Sequence, residues 1–162
     1  MKKLLILTAL LLCAGCKFQS PLTEKPTRGV DPSLLGSWFS LSDGRPLDVY
    51  QLNSEEYVVV DNGVPYICSH SDLAGTNFVS CRQIKNDKEY YGKYAYMAYQ
   101  IDHGDLILKS LSDSLGLSEK SSPAQIRQTL EEAVKKGNAL DTNPEHEIRF
   151  KKKTASAGEV RS

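Results

Sequence analysis

The sequence predicts a mainly β domain: a small antiparallel meander forming a barrel or a strongly curved sheet, with one C-terminal helix followed by a final strand. Three observations predict it. Between Gly36 and Leu111 the chain is a series of short runs rich in β-branched and aromatic residues, each bounded by turn sequences. Two of those boundaries, Asn62-Gly63 and His103-Gly104, suit two-residue hairpins, because both positions tolerate positive φ. From Ser122 onward the apolar period changes from two residues to about 3.6, the signature of a helix.

The elements follow in order. Gly36–Leu41 and Pro46–Leu52 flank Ser42-Asp43-Gly44-Arg45, a turn sequence. Glu55–Asp61 carries Tyr57-Val58-Val59-Val60, and folding at Asn62-Gly63 sets Val58 opposite Ile67 and Tyr57 opposite Cys68 in the strand Val64–His70. After a loop comes the strand Asn77–Ile84, then the polar run Lys85–Glu89, then Tyr90–Ile101. A turn at His103-Gly104 puts Met97, Tyr99 and Ile101 on the same face as Leu106 and Leu108 of the strand Leu106–Leu111. Ser122-Pro123-Ala124-Gln125 is a capping box with proline at the first helical position. Ile126, Leu130, Ala133 and Val134 form the apolar stripe of a helix over 122–136, Lys135 and Lys136 complement its dipole, and Gly137 caps it. His146–Lys151 closes the series as a last strand.

Before the meander, the chain opens Met1-Lys2-Lys3, runs through Leu4–Leu12 and closes Cys13-Ala14-Gly15-Cys16. A short positive patch, an apolar core too short to span a bilayer, and small residues at the end make a secretory signal over 1–15. The ending Leu12-Cys13-Ala14-Gly15-Cys16 resembles the lipobox of bacterial lipoproteins in Ala14, Gly15 and Cys16, with Cys13 where leucine is usual. That resemblance implies that Cys16 becomes the first residue of the mature chain and carries a diacylglyceryl thioether and an N-acyl chain, palmitate for example. Two or more acyl chains hold a protein stably on a membrane. Lys17, rather than aspartate, follows the cysteine, which in the same family implies the outer membrane, facing the periplasm. Residues 17–31 hold two prolines, a glycine and no sustained periodicity, so 16–32 read as a lipidated N-terminus and flexible tether; 33–151 as the folded domain; and 152–162 as a disordered tail.

Removing residues 1–15 of 162 leaves 147, enough for one domain with its own core. The precursor is formally neutral, so the mature chain has none of the basic footprint of a nucleic-acid binder, and no nucleic-acid partner is expected. Of four cysteines, Cys13 leaves with the signal and Cys16 is the lipidation site. Cys68 and Cys81 remain as an even pair in an oxidising compartment, which predicts a disulfide worth ~3 kcal/mol in the chain-entropy model. The same cysteines with His70 and Asp72 also offer four ligands for a metal, but the spacing fits no common zinc pattern. The expectation is no metal and no cofactor.

Leu34-Leu35-Gly36-Ser37-Trp38-Phe39 adds a second resemblance. Gly-x-Trp on the first strand, an antiparallel meander, a helix and a final strand resemble the lipocalin-like (calycin) barrels, over roughly 34–151. In that family the tryptophan closes one barrel end beneath an arginine from a late strand, which makes Trp38 and Arg149 the candidate closing pair. Seven strands precede the helix here where a full lipocalin has eight, and they are short, which implies a small barrel or a strongly curved sheet with little cavity. The chain is also similar to small uncharacterised bacterial lipoproteins of like layout.

The candidate binding surface comes from Tyr94, Tyr96, Met97 and Tyr99, in a run that also holds Tyr90 and Tyr91. Tyr94 and Tyr96 are expected to be the exposed pair, because the other face of their strand is more apolar. Ser69-His70-Ser71-Asp72 forms no triad, since adjacent strand residues point to opposite faces, and no P-loop, dinucleotide fingerprint or HExxH is present. The expectation is a non-catalytic domain. It binds either a small apolar ligand in the barrel, lined by Met97, Tyr99, Leu106 and Leu108, or an envelope protein on an aromatic patch at Tyr94 and Tyr96. An enzyme would instead place His70 or His146 in a cleft beside a carboxylate.

Overall fold

A computed structural model describes residues 17–84 and 92–153. The expected signal over 1–15, Cys16, Tyr90, Tyr91 and the residues from 154 on lie outside the described residues. The architecture is mainly β and fits the lipocalin-like barrel. Eight antiparallel strands, β1 (Gly36–Ser40), β2 (Pro46–Gln51), β3 (Glu56–Asp61), β4 (Val64–His70), β5 (Phe78–Gln83), β6 (Tyr94–Asp102), β7 (Asp105–Lys109) and β8 (Ile148–Lys152), pair in chain order into a closed barrel. The helix α1 (Pro123–Lys136) lies between β7 and β8. The last strand closes the ring by pairing with both β1 and β7, so seven strands before the helix suffice and no sheet edge is left.

The hairpins follow from their turn residues. Asn62 and Gly63 have φ of 48° and 82°, and His103 and Gly104 have 50° and 88°, the left-handed pair that matches strand twist. The first turn fixes the expected register, with Tyr57 opposite Cys68 and Val58 opposite Ile67. It also brings Cys68 directly opposite Cys81, and the two form a disulfide with Cα atoms 4.1 Å apart. In α1 the Ser122 side chain accepts from the Gln125 N–H, and Gly137 ends the helix at φ 74°.

Alternation divides the apolar residues into two clusters. Inside the barrel, Trp38, Leu47, Val49, Tyr57, Cys68, Tyr99, Leu106 and Phe150 are buried together. Outside it, Phe78, Tyr96 and Ala98 of β5 and β6 pack under Ile126 and Leu130 of α1. The helix covers this face because β5 and β6 are apolar on both sides, which a two-sided strand pair requires.

Two boundaries differ from expectation. Residues 17–32 do not form a free tether: Phe18 and Leu22 are buried in the outer cluster, and the segment hydrogen-bonds along the barrel. Phe18 exchanges both backbone hydrogen bonds with Tyr94, the Leu22 N–H donates to Ser80 Oγ, and the Thr27 N–H donates to the His70 carbonyl. Such contacts carry no period, so a segment held by them reads as loop in sequence. At the other end β8 includes Lys152, and the Lys153 N–H donates to the Ser37 carbonyl, so the ordered domain runs past 151.

Candidate functional site

In this up-and-down barrel every odd strand starts at one end and every even strand finishes there. That end is closed. The 3-10 turn Pro32–Leu34 lies against it, with the Val30 N–H bonded to the Ser54 carbonyl between β2 and β3, and Leu34 buried in the barrel core. Below this cap sits a polar cluster. His70, fully buried at 0% exposure, has Tyr57 Oη 2.5 Å from Nε2 and Tyr99 Oη 3.1 Å from Nδ1. The Asp31 N–H donates to Tyr57 Oη at 2.5 Å, and the Arg28 guanidinium donates to Tyr99 Oη. Arg28 also pairs with Asp72 at 3.3 Å.

A neutral imidazole presents one donor and one acceptor, and each hydroxyl can take either role, so the ring is satisfied in either tautomer. Burial holds the His70 ring below its ordinary pKa, Arg28 adds to the effect, and Asp72 and Asp31 oppose it. Burial likewise raises the hydroxyls of Tyr57 and Tyr99, keeping them protonated.

At the opposite end no described residue caps the barrel; residues 85–91, in the connection from β5 to β6 there, lie outside the described residues. On five strands the inward residue nearer that end is half-buried while its neighbour toward the closed end is buried: Val59 against Tyr57, Tyr66 against Cys68, Ala95 against Met97, Leu108 against Leu106, Ile148 against Phe150. Among the described residues, the corner between β1 and β3 is shut. There Arg45 Nε lies 3.4 Å from Asp61 Oδ1, an ion pair without hydrogen-bond geometry, and the guanidinium stacks 5.6 Å from the Phe150 ring centroid. Burial raises the Asp61 carboxyl above its ordinary pKa despite Arg45.

Between the two ends lies an apolar cavity of about 80 Å³. Its wall includes Leu34, Val49, Val79, the Cys68–Cys81 disulfide, Ala95, and all four residues expected of a ligand cavity: Met97, Tyr99, Leu106 and Leu108. A dry apolar cavity of ~150 Å³ accepts benzene, so this one suits a narrow apolar group rather than a bulky ligand. The surface that this wall presents to the cavity is almost entirely apolar.

The four residues of the expected binding surface therefore separate. Met97 and Tyr99 point into the cavity, whereas Tyr94 and Tyr96 lie on the outer face, and that pair is not the exposed patch expected. Tyr96 is 4% exposed, stacks on Phe18 with centroids 4.4 Å apart, and donates to the Ser20 carbonyl at 2.5 Å. Tyr94 is half-buried beneath the Arg82 guanidinium. The N-terminal segment, read as a tether, is what covers them.

The closing pair is also different. Trp38 is buried at 1% exposure and its Nε1–H donates to the Leu34 carbonyl, but the cation over its ring is Lys152, 5.1 Å from the centroid. Arg149 is exposed and donates to Glu147. Alternation explains the exchange: Phe150 points inward, so Arg149 points outward and Lys152 shares the inward phase.

His146 does lie beside a carboxylate, with Nδ1 2.6 Å from Asp141 Oδ2, on an exposed loop. Its Nε2 is 3.3 Å from Asn143 Nδ2, so both ring nitrogens are engaged in ordering the loop 141–146. Arg28, Asp31 and Tyr57 were not singled out by sequence. For Tyr57 the signal was present, since its register with Cys68 puts it on the same inner face as His70. A comparison of the chain with protein-family models, curated proteins and solved structures finds no match.

Proposed function

We propose that this chain is a membrane-anchored periplasmic lipoprotein whose barrel is a non-catalytic binding domain for a small, narrow apolar ligand. The observation that carries the reading is the cavity itself: a closed barrel with an unfilled apolar interior, sealed at one end by hydrogen-bonded polar groups and uncapped by any described residue at the other. The anchor, through lipid on Cys16 and in the outer membrane, rests on the lipobox resemblance of the N-terminal sequence. Non-catalytic binding is favoured because the one buried histidine has both nitrogens bound by tyrosine hydroxyls and no solvent exposure.

A soluble chain with Cys16→Ser tests the cavity directly. Titration with a linear fatty alcohol, read by native mass spectrometry and by the fluorescence of Trp38, should show one saturable site. Ala95→Phe, which fills the cavity from the mouth side, should abolish it. Absence of saturable binding, or binding unaffected by Ala95→Phe, would falsify the ligand reading.

A second reading, a protein-interaction module or inhibitor acting in the envelope, has one observation in its favour. The outer face of β2–β4 carries a cross-strand row of Tyr50, Val58 and Ile67, with Tyr50 55% exposed. A protein co-purifying stoichiometrically with the anchored chain, and released by Tyr50→Ser, would favour that reading.

A further inference from the structure

We infer that the closed end of the barrel is an acid-operated gate: uptake of a proton by His70 releases residues 27–34 from the barrel and opens the cavity from that side. The inference concerns the closed end alone and holds whatever the cavity takes up.

The geometry starts from two tyrosine hydroxyls. Each lies between the imidazole and a donor of fixed sense on the N-terminal segment. Tyr57 Oη has His70 Nε2 and the Asp31 N–H at 2.5 Å each, and Tyr99 Oη has His70 Nδ1 at 3.1 Å and the Arg28 guanidinium. A backbone N–H and a guanidinium only donate, so each hydroxyl oxygen already accepts one hydrogen bond from the segment. The neutral ring fits this frame, because it accepts the proton of one hydroxyl and donates to the oxygen of the other. The imidazolium donates from both nitrogens and accepts at neither. Both tyrosine oxygens must then take a second, charge-assisted donor, and the hydroxyl proton that pointed at the ring loses its acceptor. The competitors for those oxygens are the Asp31 N–H and Arg28, the two donors that fasten the segment to the barrel interior.

Burial acts in the same direction. The charged and titratable groups facing His70 are Arg28 and Asp31 from the N-terminal segment, Asp72 after β4, Tyr57 from β3 and Tyr99 from β6. Burial is the main cause that holds the ring below its ordinary pKa, with Arg28 adding and the two aspartates opposing. Lifting the segment carries off Arg28 and Asp31, whose charges oppose one another, and admits water to the ring, which removes the larger cause. The lifted state therefore takes up a proton near the ordinary value of 6.5, which the closed state refuses. Acid favours lifting by at most about tenfold per pH unit.

The contacts also say how far the movement runs. The remaining polar ties of 27–34 to the barrel are single hydrogen bonds and one half-exposed ion pair, from Arg28 to Asp72. Residues 18–23 are held elsewhere, by Phe18 stacked on Tyr96, by Leu22 in the outer cluster, and by the hydroxyls of Ser71 and Ser80. None of those contacts touches the imidazole, so that stretch stays in place as the root of the flap. Leu34, Tyr57 and Tyr99 all line the cavity, so release of 27–34 breaches its wall.

Hydrogen exchange on the full chain in mild detergent, read by mass spectrometry and corrected for the intrinsic pH dependence, tests the gate. Between about pH 7.5 and about pH 5.5, peptides covering 27–34 should lose protection by roughly tenfold. Peptides covering 18–23, β1 and β6 should keep theirs. In His70→Gln, which has no titrating ring, 27–34 should exchange alike at both pH values. Should that variant fold poorly, the parent decides: the imidazole resonances of His70 by NMR and the protection of 27–34 must share one midpoint. Four results overturn the inference. They are protection of 27–34 unmoved by acid, its loss together with the barrel strands, its loss in His70→Gln as in the parent, and a midpoint apart from that of the ring.

Discussion

The two ends of this barrel are built from the same strands and alternate in the same phase, yet they do opposite things. At the closed end, inward side chains are polar and each finds a partner: Tyr57 and Tyr99 bracket His70, and the backbone and guanidinium of the N-terminal segment complete the set. At the mouth, away from the Arg45–Asp61 corner, the inward Val59, Tyr66, Ala95, Leu108 and Ile148 are half-buried and largely apolar. The difference teaches where this fold places its rigidity. A buried polar cluster must be fully satisfied or it is costly, so it fixes one arrangement of the strands around it. An apolar rim imposes no such demand.

The largest expected effect breaks the closed end. His70→Leu removes both hydrogen bonds to the ring and leaves Tyr57 and Tyr99 each with one partner fewer in a buried site. Unfolding by denaturant should show a loss of about 2–3 kcal/mol. Leu108→Ala at the mouth removes half-exposed methyl groups that already face a void, and should cost about 1 kcal/mol, below the range for fully buried leucines. Equal losses would mean that the two ends do not differ in the way described.

The sequence made much of the barrel legible and little of its closed end. Strand order, the Asn62-Gly63 register, the Cys68–Cys81 pairing and the caps of α1 are all local or near-local signals. The inward placement of Met97, Tyr99, Leu106 and Leu108 followed from one hairpin and simple alternation. The closed end depends instead on residues far apart in sequence. Arg28 meets Tyr99, and Asp31 meets Tyr57, through contacts that leave no periodic trace. The apolar Phe18 and Leu22 were the visible hint that residues 17–32 are packed, but the prolines and glycine of that segment outweighed them. Trp38 and its cation show a different kind of miss. The element was right, but a residue of the wrong parity was chosen on it.

A second prediction sharpens the comparison through pH, because the ends titrate in opposite directions. The folded-state pKa of His70 lies below its ordinary 6.5, so below that pH the unfolded chain takes up a proton that the folded chain refuses. This contribution to stability is present above pH 6.5 and is lost as pH falls through the folded value. Asp61, at the corner of the mouth, is raised above its ordinary 3.8, so its contribution is present below that pH and lost as pH rises through the folded value. Thermal unfolding of the parent should therefore fall to lower temperature on mild acidification from neutral pH. His70→Gln, which keeps a polar side chain in place, should flatten that slope. A parent whose stability is unchanged across this range would show that His70 is not held neutral by its surroundings.

The smallest effect concerns what seals the closed end over Trp38. Lys152 places its Nζ 5.1 Å from the indole centroid and donates to the Ser33 carbonyl at 3.2 Å, tying β8 to the 3-10 turn that caps the barrel. A cation over an aromatic face at a partly solvated site is worth about 0.5–1 kcal/mol. Lys152→Gln should cost that much in denaturant unfolding and shift the emission of Trp38, since solvent gains access to the ring's edge. Arg149→Gln removes a cation that pairs only with Glu147 on the outer surface, and should stay within about 0.5 kcal/mol with the emission unmoved. Arg149 and Lys152 are three residues apart on one strand, so alternation sends one side chain to solvent and the other inward. A larger loss from Arg149→Gln than from Lys152→Gln would reverse the assignment of the sealing cation and place the late-strand arginine over Trp38 after all.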